Sequence, residues 1–302
     1  MQQEADRLVE VLDTVILGKR QEIRLALACM LARGHLLLED YPGMGKTTLS
    51  QAMARVFGLS HHRVQFTSDL LPADVTGSMV YEQQRGEFRF HPGPVFCQVL
   101  LADELNRATP RAQSALLQAM EENTVSIDSE NHALPEPFFV IATQNPGHQS
   151  GTYPLPESQL DRFLMRLSLG YPDPRAERRL LLGESGRSAL ESLTPEFDAV
   201  RLMSWQARVP QVHLSASLLD YVQRLVAESR NPELCDLGLS PRGAMYLVRV
   251  SQAWALMQGR DHVRPDDLQT VFSPVCSHRI VGNQCSGDVA TQRLLDQVNV
   301  TQ

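Results

Sequence analysis

The spacing of apolar and polar positions changes along the chain. In the first half, short apolar runs alternate with stretches of helical spacing, and five runs predict strands at 36–38, 63–66, 98–102, 138–143 and 166–169. The third and fourth runs are almost continuously apolar, which is typical of strands buried on both faces. Strands that alternate with helical patterns predict a parallel sheet joined by crossover helices.

Capping and turn residues add further elements between these strands. Thr109 can cap a helix that begins at Pro110, and apolar spacing extends that helix to about Glu122. Two polar turns flanked by strand-like runs predict inserted β-hairpins. Their arms are 80–83 with 87–90 and 124–128 with 133–134.

A change of pattern near the middle of the chain predicts a domain boundary. Pro172 and Pro174 fix the backbone and interrupt both strand and helix periodicity. We therefore predict two domains, 1–171 and 172–302. Beyond the boundary only helical signals occur, and the second domain is predicted to be all-helical. Its helices are expected to start after Ser217, at Ser240-Pro241, at Pro265 and at Asp288.

Composition indicates a folded protein without a membrane span. Of the 302 residues, 43% are hydrophobic and 21% are charged, which is typical of globular domains rather than disordered chains. The longest apolar run covers 25–32, far short of the roughly 20 residues that cross a bilayer. No basic segment followed by an apolar one opens the chain, so we expect no secretory signal.

The charge balance and the cysteines disfavour further classes of protein. The 28 Lys and Arg residues against 35 Asp and Glu residues leave a net charge of −7, which disfavours a protein that coats nucleic acids. A local basic channel is still compatible with this balance. Five scattered cysteines include no C-x-x-C pair, so neither a disulfide framework nor a zinc site is expected. These features predict a cytoplasmic protein.

The strongest chemical signal is a glycine loop between a predicted strand and a predicted helix. Backbone N–H groups and a helix N-terminus form a cradle for anions, and glycine avoids side-chain bulk there. Lys46 is expected to reach the β- and γ-phosphates of a nucleotide, and the Thr47 hydroxyl to bind Mg²⁺. Asp40 departs from the usual G-x-x-x-x-G-K-[ST] pattern, because it occupies the first glycine position. The expected binding residues are Pro42, Gly43, Met44, Gly45, Lys46, Thr47 and Thr48.

Two adjacent carboxylates, Asp103 and Glu104, end the third predicted strand. Two acids at the carboxyl edge of a parallel sheet are costly to hold unless a cation or a reacting water uses them. In a phosphate site, Asp103 is expected to organise the Mg²⁺ shell and Glu104 to polarise the attacking water.

The sequence lacks the motifs of guanine-specific GTPases, of hydrolases with a nucleophile turn and of metal sites. The chain contains no Asn-Lys pair of the kind that guanine-specific GTPases use, and no G-x-S-x-G nucleophile turn. Its nine histidines do not show the spacing of a metal site.

With both nucleotide motifs placed, most of the chain resembles the AAA+ ATPases, and within them the MoxR family. The resemblance is carried by five segments: 67–77, 86–96, 101–108, 142–146 and 151–163. It implies a P-loop αβα sandwich with a five-stranded parallel sheet, inserted hairpins and an all-α lid. It also implies an ATPase that uses ATP and Mg²⁺.

The resemblance assigns further site residues. Asn145 matches sensor 1, which positions the hydrolytic water, and an amide that can both donate and accept suits this role. Arg162 matches the arginine finger that is offered to the next subunit. Arg242 matches sensor 2 of the lid, whose guanidinium can bind phosphate oxygens bidentately. The apolar segment 15–18, with Ile16, Leu17 and Gly18, matches the part that covers adenine, although its residues alone are equally compatible with core packing.

Three functions are consistent with these residues. The first is a chaperone-like remodelling ATPase that forms a homo-oligomeric, hexameric ring. The resemblance implies that it activates client enzymes or inserts cofactors or metals into them, often with a partner containing a von Willebrand factor A domain. The second is a DNA-acting motor, although the first hairpin is only weakly basic, with Arg85, Arg89 and His91 beside Glu82 and Glu87. The third is a nucleotide-dependent scaffold with little turnover, which the presence of Glu104 disfavours.

Overall fold

The structure, a computed structural model, describes residues 1–128, 130–145, 152–184 and 187–300. Pro146 and Gly151, two residues of the MoxR-like segments, lie outside these ranges. The strands are β1 Leu36–Glu39, β2 His61–Gln65, β3 Gly77–Glu82, β4 Glu87–Pro92, β5 Val99–Asp103, β6 Thr124–Ile127, β7 Glu130–Ala133, β8 Phe139–Gln144, β9 Met165–Leu167, β10 Cys235–Leu237 and β11 Val281–Gly282.

The α-helices follow the same numbering along the chain. They are α1 Gln2–Val15, α2 Arg20–Leu31, α3 Lys46–Val56, α4 Pro72–Thr76, α5 Pro110–Glu122, α6 Glu157–Leu160, α7 Pro174–Leu181, α8 Arg187–Ser192, α9 Ala199–Arg208, α10 Ala216–Ser229, α11 Pro241–Met257, α12 Pro265–Cys276 and α13 Gly287–Gln297.

Five parallel strands form the central sheet, in the order β2-β5-β8-β1-β9. The first residue of β1, Leu36, is in register with Ile141 of β8 on one side and with Met165 of β9 on the other. The predicted parallel sheet is confirmed, and each strand lies within a few residues of its predicted range. All carboxyl ends therefore meet at one edge of the sheet, where loops from different strands can form one site.

Helices cover both faces of this sheet. Leu36 and Leu38 belong to a buried cluster with residues of α1, α2 and α3, whereas Leu37 between them belongs to a second cluster with residues of α5. All five residues of β5 are buried, as its continuous apolar run predicted. The result is an αβα sandwich.

Both predicted hairpins are present. β3 pairs with β4 in an antiparallel register that sets Met79 opposite Phe90, and β6 pairs with β7. The predicted helix before the second hairpin is α5, whose N-cap Thr109 accepts a hydrogen bond from the Ala112 N–H. Pro110 occupies its first position, where a missing N–H is tolerated.

The second half is built mainly from helices α7–α13, as predicted. The cap of α10 differs from the expectation, because Ser215 rather than Ser217 accepts a hydrogen bond from the Leu218 N–H. Ser217 lies inside the first turn. A short antiparallel pair, β10 with β11, was also not predicted, since strands of three and two residues are too short to show a period.

The helical half shares its core with the sandwich. The buried cluster on the α1–α3 face of the sheet continues into α9, α10, α11 and α12. We keep the proposed boundary between residues 171 and 172, because α7 begins at Pro174 with Asp173 as its N-cap.

Two further expectations concern the chain as a whole. The five cysteines are free thiols, and four of them are buried. Within the described ranges, no helix is long and apolar enough to cross a membrane.

Candidate functional site

The glycine loop runs from the end of β1 to the start of α3. Gly43 and Gly45 have φ of +87° and +86°, a left-handed conformation that glycine adopts without strain. A Cβ at either position would meet no described protein atom within 4 Å. The loop therefore requires glycine for its backbone conformation, rather than for relief of crowding by the protein as we expected from the sequence.

Lys46 begins α3 and is buried. Its Nζ donates to the backbone oxygen of Asp40 at 2.6 Å and to Oδ1 of Asn145 at 3.3 Å. Burial lowers the pKa of Lys46, and the nearby carboxylates of Asp103, Asp40 and Glu104, in that order, oppose this shift. Two residues that the sequence placed in separate motifs, Lys46 and Asn145, are thus in contact.

Asp40 has a structural contact that accounts for its departure from the glycine pattern. Its buried carboxylate accepts hydrogen bonds from the backbone N–H groups of Leu169 and Gly170. These residues follow β9, the strand next to β1. Asp40, the first residue of the loop, is therefore hydrogen-bonded to the segment that follows β9.

Asp103 ends β5 as a largely buried carboxylate. The Thr143 hydroxyl donates to its Oδ1 at 2.7 Å, and Nη2 of Arg63 donates to its Oδ2 at 2.7 Å. A carboxylate at this edge can contribute to a Mg²⁺ site, since Mg²⁺ is commonly held by one or two carboxylates together with substrate phosphates. Thr47, half-buried in the first turn of α3, can supply a hydroxyl ligand to the same site.

Glu104 follows in a left-handed conformation, with φ of +55°. Such a backbone is unfavourable for a residue with a side chain, and it concentrates at functional sites. Its carboxylate accepts from Gln65 at 3.0 Å, from Arg107 at 2.7 Å and from Asn145 at 3.4 Å. Lys46, Asn145, Asp103 and Glu104 thus form one connected polar group at the carboxyl edge of the sheet.

Sequence reasoning did not single out the partners of this acid pair. Thr143 is completely buried in β8, donates to Asp103 and accepts from the Glu104 backbone N–H at 2.9 Å. Its signal was a hydroxyl at the end of an otherwise apolar strand. Arg63 and Gln65 alternate with apolar residues on β2, a pattern that an ordinary edge strand also shows.

A cavity of about 470 Å³ lies beside the glycine loop. Gly43, Met44, Gly45 and Thr48 line it from the loop side. Its other wall is mainly apolar and comes from the end of α1 with the residues after it, and from α7 with the residues before it. That wall is formed by Val15, Ile16, Leu17, Lys19, Gly170, Tyr171, Pro172, Glu177, Leu180 and Leu181.

Not every predicted binding residue lines this cavity. Pro42, Lys46 and Thr47 are outside its described lining, and Gly18 has a packing role instead. A Cβ on Gly18 would lie 2.9 Å from Oδ2 of Asp173, at the start of α7. Beside it, the Lys19 ammonium donates to the Tyr171 backbone oxygen at 2.7 Å, which joins the two ends of the apolar wall.

Arg162 lies at the opposite edge of the sheet. It precedes β9 by three residues, and the first residue of β9, Met165, is in register with the first residue of β1. The glycine loop starts after the last residue of β1. Since parallel strands share their direction, Arg162 is separated from the glycine loop of its own chain by the length of the strands.

Arg242 is also away from the glycine loop. Its Nη2 lies 2.5 Å from Oε1 of Glu121, and Nη2 of Arg162 lies 3.1 Å from Oε2 of the same carboxylate. Neither arginine is part of the described cavity lining. In this structure Arg242 contacts Glu121 rather than the glycine loop of its own chain, and its role as sensor 2 stays a prediction.

Comparison with known proteins agrees with the arrangement of these elements. A family model described as ATPase family associated with various cellular activities (AAA) matches residues 35–165, and an AAA lid domain model matches residues 227–298. A crystal structure of a Cytophaga hutchinsonii protein assigned as an ATPase superposes with a TM-score of 0.91 at 35% identity, covering 100% of this chain and 96% of that one.

Sequence relatives cover nearly the whole chain. YeaC of Bacillus subtilis is 44% identical over 275 residues, covering 91% of this chain and 86% of that protein. Chaperone MoxR1 of Mycobacterium tuberculosis is 38% identical over 314 residues, covering 98% of this chain and 82% of that protein.

Proposed function

Because the chain belongs to the MoxR family of AAA+ ATPases, we propose that its hydrolysis of ATP drives the remodelling or activation of partner proteins by an oligomeric ring. One observation carries the ring. The phosphate-binding residues lie at the carboxyl edge of the sheet, while Arg162 lies at the amino edge. A site that needs both is incomplete within one chain and complete when a second copy supplies the arginine.

The proposed roles follow from the contacts at the carboxyl edge. Lys46 binds the β- and γ-phosphates in place of the Asn145 oxygen and the Asp40 carbonyl that it now contacts. Glu104 accepts a proton from the attacking water, and Asn145, 3.4 Å from Glu104, orients that water. Arg162 of an adjacent copy stabilises the charge that develops on the transferred phosphoryl group.

Thr47 and Asp103 are the proposed Mg²⁺ ligands. The bound ion would neutralise charge on the phosphate oxygens. Thr143 keeps the Asp103 carboxylate in place through its 2.7 Å hydrogen bond. The cavity beside Ile16 and Leu17 is proposed to take the adenine, since its wall is apolar and open to a flat ring.

A DNA-acting motor is the less favoured alternative. The β3–β4 hairpin presents Arg85, Arg89 and His91, but each has a nitrogen within 4 Å of the Glu82 carboxylate. Its exposed tip instead carries Tyr81 and Phe88, whose ring centroids are 5.2 Å apart. An aromatic tip with largely balanced charge suits a protein partner better than a phosphate backbone.

Partner identity rests on the family alone. A relative over most of the chain is named a chaperone, and we propose client enzymes that receive metals or cofactors, together with a von Willebrand factor A-domain partner, in the cytoplasm. A hydrolysis-blocked Glu104→Gln form, used as bait in pull-downs, should retain such partners with ATP and release them without it.

A mixing experiment tests the ring. Arg162→Ala should bind ATP but hydrolyse it about 10³-fold more slowly, since fingers supplied in trans contribute on the order of 10³–10⁵ in rate. Lys46→Ala should bind ATP at least about 100-fold more weakly than the wild type. When the two are mixed, interfaces that pair an intact loop with a donated Arg162 form, and ATPase activity should partly return.

Wild-type protein diluted into each inactive variant is the control for exchange of subunits. If native mass spectrometry shows mixed assemblies while activity stays absent at every ratio, Arg162 does not act between copies and the proposed ring mechanism is wrong.

A further inference from the structure

One carboxylate at the amino edge of the sheet holds two arginines from distant parts of the chain. Glu121 is in the last turn of α5, Arg162 precedes β9, and Arg242 is the second residue of α11. Each oxygen of Glu121 takes one guanidinium, at 3.1 Å for Arg162 and 2.5 Å for Arg242. We call these three residues the two-arginine cluster.

The cluster is poorly suited to a purely stabilising role. The side chains of Arg162, Arg242 and Glu121 are 30%, 39% and 40% exposed. Ion pairs with such exposure contribute only about 0–1 kcal/mol. Bringing two guanidinium groups to one site also adds repulsion between them, which a single carboxylate only partly offsets.

Arg162 keeps unused hydrogen-bonding capacity in this arrangement. Its Nε is a buried donor without a hydrogen-bond partner among the described residues. An unpaired buried donor is unfavourable unless another group satisfies it. The Glu121 carboxylate therefore satisfies only part of the hydrogen-bonding capacity of the Arg162 guanidinium.

Contacts between the two halves of the chain hold the two-arginine cluster in place. Arg279, whose side chain is 2% exposed, pairs with Asp161 at 2.8 Å, and the Ser240 hydroxyl donates to the same carboxylate at 3.1 Å. Asp161 immediately precedes Arg162, and Ser240 is two residues before Arg242. The two arginines are therefore presented from one joined surface rather than from two independent segments.

We propose that Glu121 is a positioning residue, which holds Arg162 and Arg242 as one unit that is presented to the nucleotide of an adjacent copy. This inference rests on the proposed ring function. The ligand is the triphosphate of ATP, whose charge two preorganised guanidinium groups match better than one. Glu121 itself touches no substrate, and it sets the separation and direction of the two arginines before the neighbouring nucleotide arrives.

The test places Glu121→Gln on one side of a defined interface. In mixtures of Lys46→Ala with Arg162→Ala, the active interface takes its finger from the Lys46→Ala subunit and its loop from the Arg162→Ala subunit. Adding Glu121→Gln to the Lys46→Ala subunit should lower the recovered kcat about tenfold, because misplaced groups lose much of their catalytic effect. Adding it to the Arg162→Ala subunit should change the recovered kcat less than about twofold, and the KM for ATP should stay constant in both.

Arg242→Ala should likewise lower the recovered kcat when it is in the Lys46→Ala subunit, and not when it is in the Arg162→Ala subunit. Glu122→Gln is the matched control and should have no effect on either side. Within the described part of the chain, this adjacent carboxylate accepts side-chain hydrogen bonds only from Gln118, at 3.1 and 3.3 Å.

Three outcomes would overturn the inference while the parent mixture still recovers activity. They are an equal loss on both sides, a loss confined to the loop side, and a gain when Glu121→Gln is on the finger side. The last would mean that Glu121 competes with phosphate for the arginines instead of positioning them. Absence of recovery in the parent mixture would instead contradict the ring proposal itself.

Discussion

Lys46 is one of two lysines in the chain, and the other, Lys19, lines the cavity beside the glycine loop. Its ammonium is surrounded by Asp40, Asp103 and Glu104, whose charges oppose the lowering of its pKa by burial. Removing it would leave three acidic residues near the place where phosphates are expected to bind. Lys46 is thus expected both to attract the nucleotide and to neutralise part of the charge of these three carboxylates.

We expect Lys46→Ala to weaken ATP binding at least about 100-fold, since charge-assisted hydrogen bonds contribute roughly 1.5–3 kcal/mol each. Isothermal titration calorimetry measures this directly. Arg20→Ala removes an exposed cation that pairs with Asp13 at 3.6 Å, and this variant should bind ATP normally. Tight binding by Lys46→Ala would contradict the assignment of the phosphate loop.

Glu104→Gln should bind ATP as the wild type does and hydrolyse it about 10²–10⁴-fold more slowly, because an amide cannot accept the proton of the attacking water. Single-turnover kinetics with radiolabelled ATP separate the two effects. Glu122→Gln serves again as the carboxylate control. Unchanged turnover in Glu104→Gln would show that Glu104 has only a structural role.

At the scale of elements, His35 connects the sheet to the helix that carries Glu121. Its Nδ1 accepts from the Val140 N–H in β8 at 3.0 Å, and its Nε2 contacts the Met120 oxygen in α5 at 3.1 Å. Both contacts fit a neutral ring protonated on Nε2, since a proton on Nδ1 would face the Val140 N–H. Burial lowers the pKa of His35 from 6.5 to about 4, and the Met120 contact opposes this only in part.

This shift predicts acid sensitivity. The unfolded chain takes up a proton on this residue below pH 6.5, whereas the folded chain does so only near pH 4. The free energy of unfolding should therefore fall as the pH decreases through this window, by about 3 kcal/mol from His35 at most. Urea unfolding at pH 7 and pH 4.5 should show a smaller difference for His35→Gln than for wild type, and an equal difference would contradict the prediction.

At the scale of the molecule, Arg279 joins the helical half to the segment that carries Arg162. Besides Asp161, its guanidinium donates to the backbone oxygens of Phe163, Leu164 and Val275. A buried charge with this many partners is unfavourable to disrupt, because its removal leaves the backbone oxygens and the Asp161 carboxylate with fewer donors. Arg279 thus holds the segment that carries Arg162, the proposed finger, against the helical half.

Arg279→Ala should lower the free energy of unfolding by about 3 kcal/mol and increase cleavage by trypsin between the two halves. It should also lower ATPase activity more than it lowers ATP affinity, since Arg162 loses its support while the phosphate loop is untouched. Arg249→Ala removes an exposed arginine of α11 and is the control. A stable Arg279→Ala protein with normal turnover would show that this junction is dispensable.

Much of the fold was determined by local sequence patterns. The five core strands, both hairpins and the start of α5 were predicted because period, caps and turn residues are properties of neighbouring positions. The glycine loop and the Asp103-Glu104 pair were found for the same reason, since each is a contiguous motif. The parallel topology then places them at one edge of the sheet.

Tertiary structure alone decided which distant side chains meet. Glu121 precedes Arg242 by 121 residues, and nothing near either one in the sequence indicates that Arg242 and Arg162 both bind the Glu121 carboxylate. Asp40 looked like a departure from a motif until the N–H groups after β9 were seen to bind it. Such contacts depend on how the lid packs on the sandwich and how adjacent strands end, and a one-dimensional pattern contains neither, because both result from burial shared by the whole chain.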